Sequence, residues 1–183
     1  MKRILLVCML AISCMTLWAC GGSETPNENN NDTNNTQQEN DGNSATEDEG
    51  SYVFVCEGVE VSVNEDISAV IEKIGEPVSY FEAPSCAFEG MDKIYTYGSF
   101  RIDTYPSGDK DLVASIYFLD DIVETKEGLC IYMTKEEMIE TYGEATIVQG
   151  TEYIYEKGNG ALHIILDGDE IISIEYRTKV EYN

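Results

Sequence analysis

One stretch of this sequence occurs twice, and that recurrence limits the folds open to it. Ala69-Val70-Ile71-Glu72-Lys73-Ile74-Gly75-Glu76 lines up with Glu137-Met138-Ile139-Glu140-Thr141-Tyr142-Gly143-Glu144. In both, an apolar stripe at helical spacing stops at glycine: Ile67, Val70, Ile71 and Ile74 in the first, Met138, Ile139 and Tyr142 in the second. Asn64 reads as the first helix's N-cap, with Glu65 and Asp66 in the first turn. Thr134 and Glu137 form a capping box for the second. Gly75 and Gly143 fit the position just past a helix end, and Pro77 forbids continuation.

The correspondence continues into extended structure. Tyr95-Thr96-Tyr97 matches Tyr153-Ile154-Tyr155, and Ser115-Ile116 matches Ser173-Ile174. Gly- and Asp-rich turns separate these segments, as in hairpins. Upstream, Tyr52-Val53-Phe54-Val55-Cys56 is a strand by composition, and Glu57 to Val63 continues extended. Each half reads as an extended segment, a helix and three antiparallel strands, with about ten extra residues after Gly75 that carry Cys86. The expectation is an α+β domain over 51–183. Two tandem helix-plus-antiparallel-hairpin repeats, about 58–122 and 128–179, form a sheet with helices packed on one face.

Alternation sorts the faces. Phe100, Ile102, Thr104, Ala114, Ile116 and Phe118 should face the helices, as should Leu162, Ile164, Leu166, Ile172, Ile174 and Tyr176. The other face then shows Arg101, Asp103, Tyr105, Ser115, Tyr117, His163, Ile165, Ser173, Glu175 and Arg177. Tyrosine and arginine are enriched where proteins bind one another, so Arg101, Tyr105, Tyr117 and Arg177 are the candidate binding residues. The plainer alternative is a solvated face of an antiparallel sheet. An outward tyrosine should be replaceable by alanine at about 0.5 kcal/mol or less.

The short helix with a Gly-Glu-Pro or Gly-Glu-Ala stop, followed by Tyr-x-Tyr and Ile-rich strands, resembles the BamE (SmpA/OmlA) lipoproteins. In tandem it is similar to β-lactamase inhibitor protein and related duplicated lipoproteins of Gram-positive bacteria. The resemblance runs from Gly58 to about Arg177 and implies non-catalytic protein binding. The Asn-rich linker and the acidity depart from that family, and no inhibitory contact residue can be aligned.

The amino terminus carries a second resemblance. Met1-Lys2-Arg3 is positive, Ile4 to Trp18 is apolar, and Leu17-Trp18-Ala19-Cys20 looks like a bacterial lipobox. It implies a signal peptide over 1–19, cleavage before Cys20, and lipid on that cysteine. The alternatives are an ordinary secretory signal, or a spanning helix, for which the run is short of the ~20 residues required. Residues 20–50 are Asn-, Glu- and Asp-rich with no aromatic residue, as expected of a disordered tether. The implied location is the extracytoplasmic face of the cell membrane, held by lipid on Cys20 alone.

Charge narrows the partners. From Ser51 onward there are 27 acidic and nine basic residues, a net of about −18. Such a domain repels nucleic acid and anionic lipid surfaces, and is compatible with a basic protein or a cell-wall partner. Cys56, Cys86 and Cys130 are left after the signal peptide and Cys20 are set aside, which allows one bridge and three pairings. Cys56–Cys86 is the expected pair, with three buried thiols as the alternative. No Cys-x-x-Cys or His-x-x-x-His spacing occurs, so no metal or other cofactor is expected. Acidic pairs such as Asp109-x-Asp111 lack a complete calcium loop. The leading functional class is a non-catalytic binding module. The alternative is a small cell-envelope hydrolase with Cys86 as nucleophile and His163 as base.

Overall fold

The computed structural model describes residues 50–179. The expected signal peptide over 1–19, the expected lipidation of Cys20 and nearly all of the expected tether over 20–50 lie outside the described residues. Ten strands and two helices follow in the order β1 (Val53–Cys56), β2 (Val59–Ser62), α1 (Ile67–Ile74), β3 (Ser79–Pro84), β4 (Met91–Thr96), β5 (Phe100–Ser107), β6 (Lys110–Phe118), α2 (Lys135–Tyr142), β7 (Ile147–Gln149), β8 (Glu152–Lys157), β9 (Gly160–Asp167) and β10 (Glu170–Thr178). β3 to β10 form one antiparallel sheet of order β3-β4-β5-β6-β10-β9-β8-β7, and β1 and β2 form a separate hairpin.

This corrects the expected α+β arrangement of helix-plus-hairpin repeats with helices covering one face. About half of the described residues are strand and 12% are helix, in an eight-stranded and a two-stranded sheet. Each helix has only eight residues, and α2 fully buries just Met138. Two such short helices cannot cover eight strands. The centre of the core is instead filled by the β1–β2 hairpin, which turns tightly because Glu57 and Gly58 both take left-handed φ values, 50° and 83°. Phe54 and Val61 are fully buried. The Phe54 ring lies 4.8 Å from Phe100 and 5.4 Å from Phe118, centroid to centroid. It faces Tyr176 at 6.1 Å. Burying a side chain of this size contributes about 1.5–3 kcal/mol.

The strand order is symmetrical about the central β6–β10 pair, and local details recur on both sides of it. Gly75 and Gly143 end the helices at φ 87° and 75°, each donating its N–H to a carbonyl four residues back. The Tyr97 hydroxyl donates to the Gly75 carbonyl at 3.1 Å, and that of Tyr155 to the Gly143 carbonyl at the same distance. Burial pushes the pKa of both hydroxyls up to about 12.

Helix entry differs from expectation in the first half. Asp66, not Asn64, is the N-cap of α1, and its carboxylate accepts from the Ser68 N–H at 3.0 Å. Asn64 is left-handed (φ 67°), a conformation asparagine tolerates better than most residues. Its N–H donates to the Val113 carbonyl, and its side-chain oxygen accepts from Tyr105 and Thr178. The Thr134–Glu137 capping box of α2 forms as expected.

Two β-bulges alter the face pattern. The β5–β6 register skips Ala114, and the β9–β10 register skips Ile172. A bulge inserts one residue and shifts the alternation beyond it. Val113 and Ile171 therefore become the fully buried core residues, whereas Ile172, expected inside, is 45% exposed.

Candidate functional site

The site is built on the face of the large sheet turned away from the β1–β2 hairpin. Register places Arg101 beside Tyr117, Tyr117 beside Glu175, and Glu175 beside His163, one row across β5, β6, β10 and β9. A second row runs Ile94, Asp103, Ser115 and Arg177. Neighbouring strands lie about 4.8 Å apart, so directly opposed side chains touch. The Arg101 guanidinium sits over the Tyr117 ring at 4.9 Å and holds Asp103 at 3.2 Å. Arg177 bonds Glu175 in the adjoining pair of rows. His163 Nδ1 meets Glu152 Oε1 at 2.7 Å.

Charge on this face is only partly compensated. Arg101 Nε and Asp103 Oδ1 are buried and make no hydrogen bond. Burial raises the Asp103 pKa; Arg101 lowers it and Glu175 raises it further. A shallow cavity of about 410 Å³ opens beside these groups, lined by Lys93, Asp103, Tyr105, Ser115, Glu175 and Arg177 among others. The Lys93 ammonium is held by Asp111 at 2.7 Å.

Of the four expected binding residues, Arg101, Tyr117 and Arg177 stand together on this face, half-buried or exposed. Tyr105 is different. It lines the cavity but is 7% exposed, because the Phe88 ring of the β3–β4 loop packs against it in a tilted arrangement at 5.2 Å and its hydroxyl donates to Asn64 at 3.0 Å. It is a structural residue at the rim, not a free outward tyrosine. Phe88 was not singled out in the sequence, and Asn64 was read as a helix N-cap, although asparagine beside a helix start suits a left-handed residue equally well. Phe88 carries no local signal.

The expected Cys56–Cys86 bridge is not formed; Cys56, Cys86 and Cys130 are free thiols. Cys56 packs against the core near Tyr97, whereas Cys86 lies in the loop at the other end of β4. A six-residue strand runs about 20 Å, far beyond the ~7 Å between Cα atoms that a disulfide spans. Burial raises the pKa of both Cys56 and Cys130.

Cys86 and His163 are not brought together either. His163 shares its row with Arg101, which pairs with Thr96 at the end of β4 remote from Cys86, and β9 lies four strands from β4. That separation is about 19 Å across the sheet alone. Among the described residues no group of three or more His, Cys, Asp or Glu is placed to hold a metal ion, and no helix is long and apolar enough to cross a membrane.

Neither a family model nor a curated protein sequence matches the chain. Among solved structures it is similar in part to an extracellular protein containing a SCP domain from Bacillus anthracis str. Ames, with 13% identity and a TM-score of 0.48. The similarity covers 64% of this chain and 44% of that one. The chain thus spans less than half of that protein's length, and a likeness at this level carries no functional argument.

Proposed function

We propose that this chain is a lipid-anchored, non-catalytic binding module of the bacterial cell envelope. Lipid on Cys20 holds it to the extracytoplasmic face of the membrane, residues 20–50 act as a tether, and the open sheet face engages a partner protein or a wall-associated polymer. The observation that carries this reading is the Arg101–Tyr117–Glu175 row with Asp103 and Arg177 beside it. Arginine and tyrosine stand on the middle strands of an eight-stranded sheet, on the face opposite Phe100, Phe118 and Tyr176, which pack on Phe54. Such residues dominate binding energies when they are central and become desolvated. The net charge of −24 favours a partner with a basic surface. The resemblance to BamE-like and β-lactamase-inhibitor-like lipoproteins points to the same class.

The test places a photoreactive amino acid at Tyr117 of the full-length protein in living cells, with one at exposed Tyr132 as the control. A discrete adduct at 117 that is missing at 132 is the expected result. Adducts of equal yield at both positions, or none at 117, contradict the assignment.

A further inference from the structure

The eight-stranded sheet ends on two unequal edges. β7 has three residues, whereas β3 has six and pairs, among the described residues, with β4 alone. The inequality arises between each helix stop and its matching tyrosine. Residues 76–96 fill that interval in the first half and residues 144–154 in the second, ten fewer. The extra length lies in the β3–β4 hairpin. Soluble proteins ordinarily keep edge strands short, charged or covered, because alternate residues direct unpaired N–H and C=O groups outward. β7 follows the first device. β3 does not: Val78 just before it is 82% exposed, Phe81 61% and Tyr80 49%.

Each face of this edge carries an aromatic side chain. Tyr80 packs on Tyr95 at 5.1 Å, at the border of the core, and Phe81 pairs with Ile94, which opens the row containing Asp103 and Ser115. Pro84 has no N–H and ends the usable edge. The surrounding charge is mostly acidic. Glu76, Glu82, Glu89 and Asp92 precede Lys93, whose ammonium Asp111 occupies.

We propose that β3 is a strand-addition site. An extended segment of a partner protein, with apolar side chains at alternate positions and lysine or arginine between them, pairs with its outer edge. Backbone bonds would supply the affinity, Phe81 the apolar contact on one face, and Glu82, beside Tyr80 on the other, the counter-charge. A second copy of this chain is the poorer occupant, because it would set two acidic edges against each other.

The probe is acetyl-Lys-Val-Lys-Val-Lys-Val-amide, titrated into the protein while amide resonances are followed by NMR. Shifts should centre on Val78 to Ala83 and the facing part of β4. The same peptide N-methylated along one edge keeps its side chains and loses its backbone donors, and should bind at least about tenfold more weakly. Phe81→Lys, a surface change, should weaken the parent peptide by a similar factor. Equal binding of the N-methylated peptide, shifts centred elsewhere, or no shifts at millimolar peptide would overturn the proposal. So would β3 shifts that depend on protein concentration alone, which would mark a second copy as the occupant.

Discussion

Replacing Phe54 by alanine tests what covers the inner side of the sheet. Phe54 is fully buried and touches three aromatic rings contributed by β5, β6 and β10. Removing a buried phenylalanine costs about 3–5 kcal/mol, through lost transfer energy and a residual cavity. The upper part of that range is expected, because Phe100, Phe118 and Tyr176 are held by strand pairing and cannot close the gap. Domains of this size are stable by about 5–15 kcal/mol, so the loss is a large fraction of the total. In urea unfolding followed by far-UV circular dichroism, a slope near 2 kcal/mol/M would convert it to a midpoint lower by about 2 M. If the helices alone covered the sheet, Phe54 would be peripheral. A loss below about 1 kcal/mol would then be measured, and the hairpin-centred core would be refuted.

Three further outcomes follow from the same geometry. Tyr105→Phe removes the bond to Asn64 and should lower stability by about 1 kcal/mol, and Tyr105→Ala by about 3 kcal/mol or more; Tyr117→Ala, losing chiefly a half-buried cation–π contact with Arg101, should cost under ~1 kcal/mol in the same urea titrations. Glu137 accepts bonds from the Thr134 N–H and hydroxyl, which hold its pKa below the ordinary 4.5. Its contribution is therefore present above that value and lost as pH falls through the lower folded one, so Thr134→Ala, costing about 1 kcal/mol at neutral pH, should show a shallower acid-side decline in stability. Alkylation under native, non-reducing conditions should modify exposed Cys86 first, with Cys56 and Cys130 slower because burial raises both thiols; a disulfide-linked peptide in the digest would contradict the separation of Cys56 from Cys86.

Where a periodic pattern met a glycine, the sequence was legible. The two helices, their stops at Gly75 and Gly143, and the inward set Phe100, Ile102, Ile116, Leu162, Ile164 and Ile174 all stand where alternation places them. Three features left no periodic trace. β3 is exposed at all but one residue, so an edge strand that buries no face shows no alternation. Ala114 and Ile172 sit in bulges, and an inserted residue looks like any other position until the partner strand is known. β1 and β2 read correctly as extended, but where a hairpin docks is set by the whole core, which is why the helices were assigned a role that Phe54 and Val61 fill. At the site, Arg101, Tyr117 and Arg177 followed from alternation alone. Tyr105 did not, because its burial depends on Phe88 and Asn64, 17 and 41 positions away in the chain.

The central claim is that binding energy resides on the open sheet face. Its most direct test is the dissociation constant of the partner captured at position 117, measured for Arg101→Ala, Tyr117→Ala and Arg177→Ala against Tyr132→Ala as the control. At least one of the three should weaken binding by about tenfold or more, while the control stays within twofold and the melting temperatures confirm folded protein. Unchanged affinity in all three folded variants would contradict the claim.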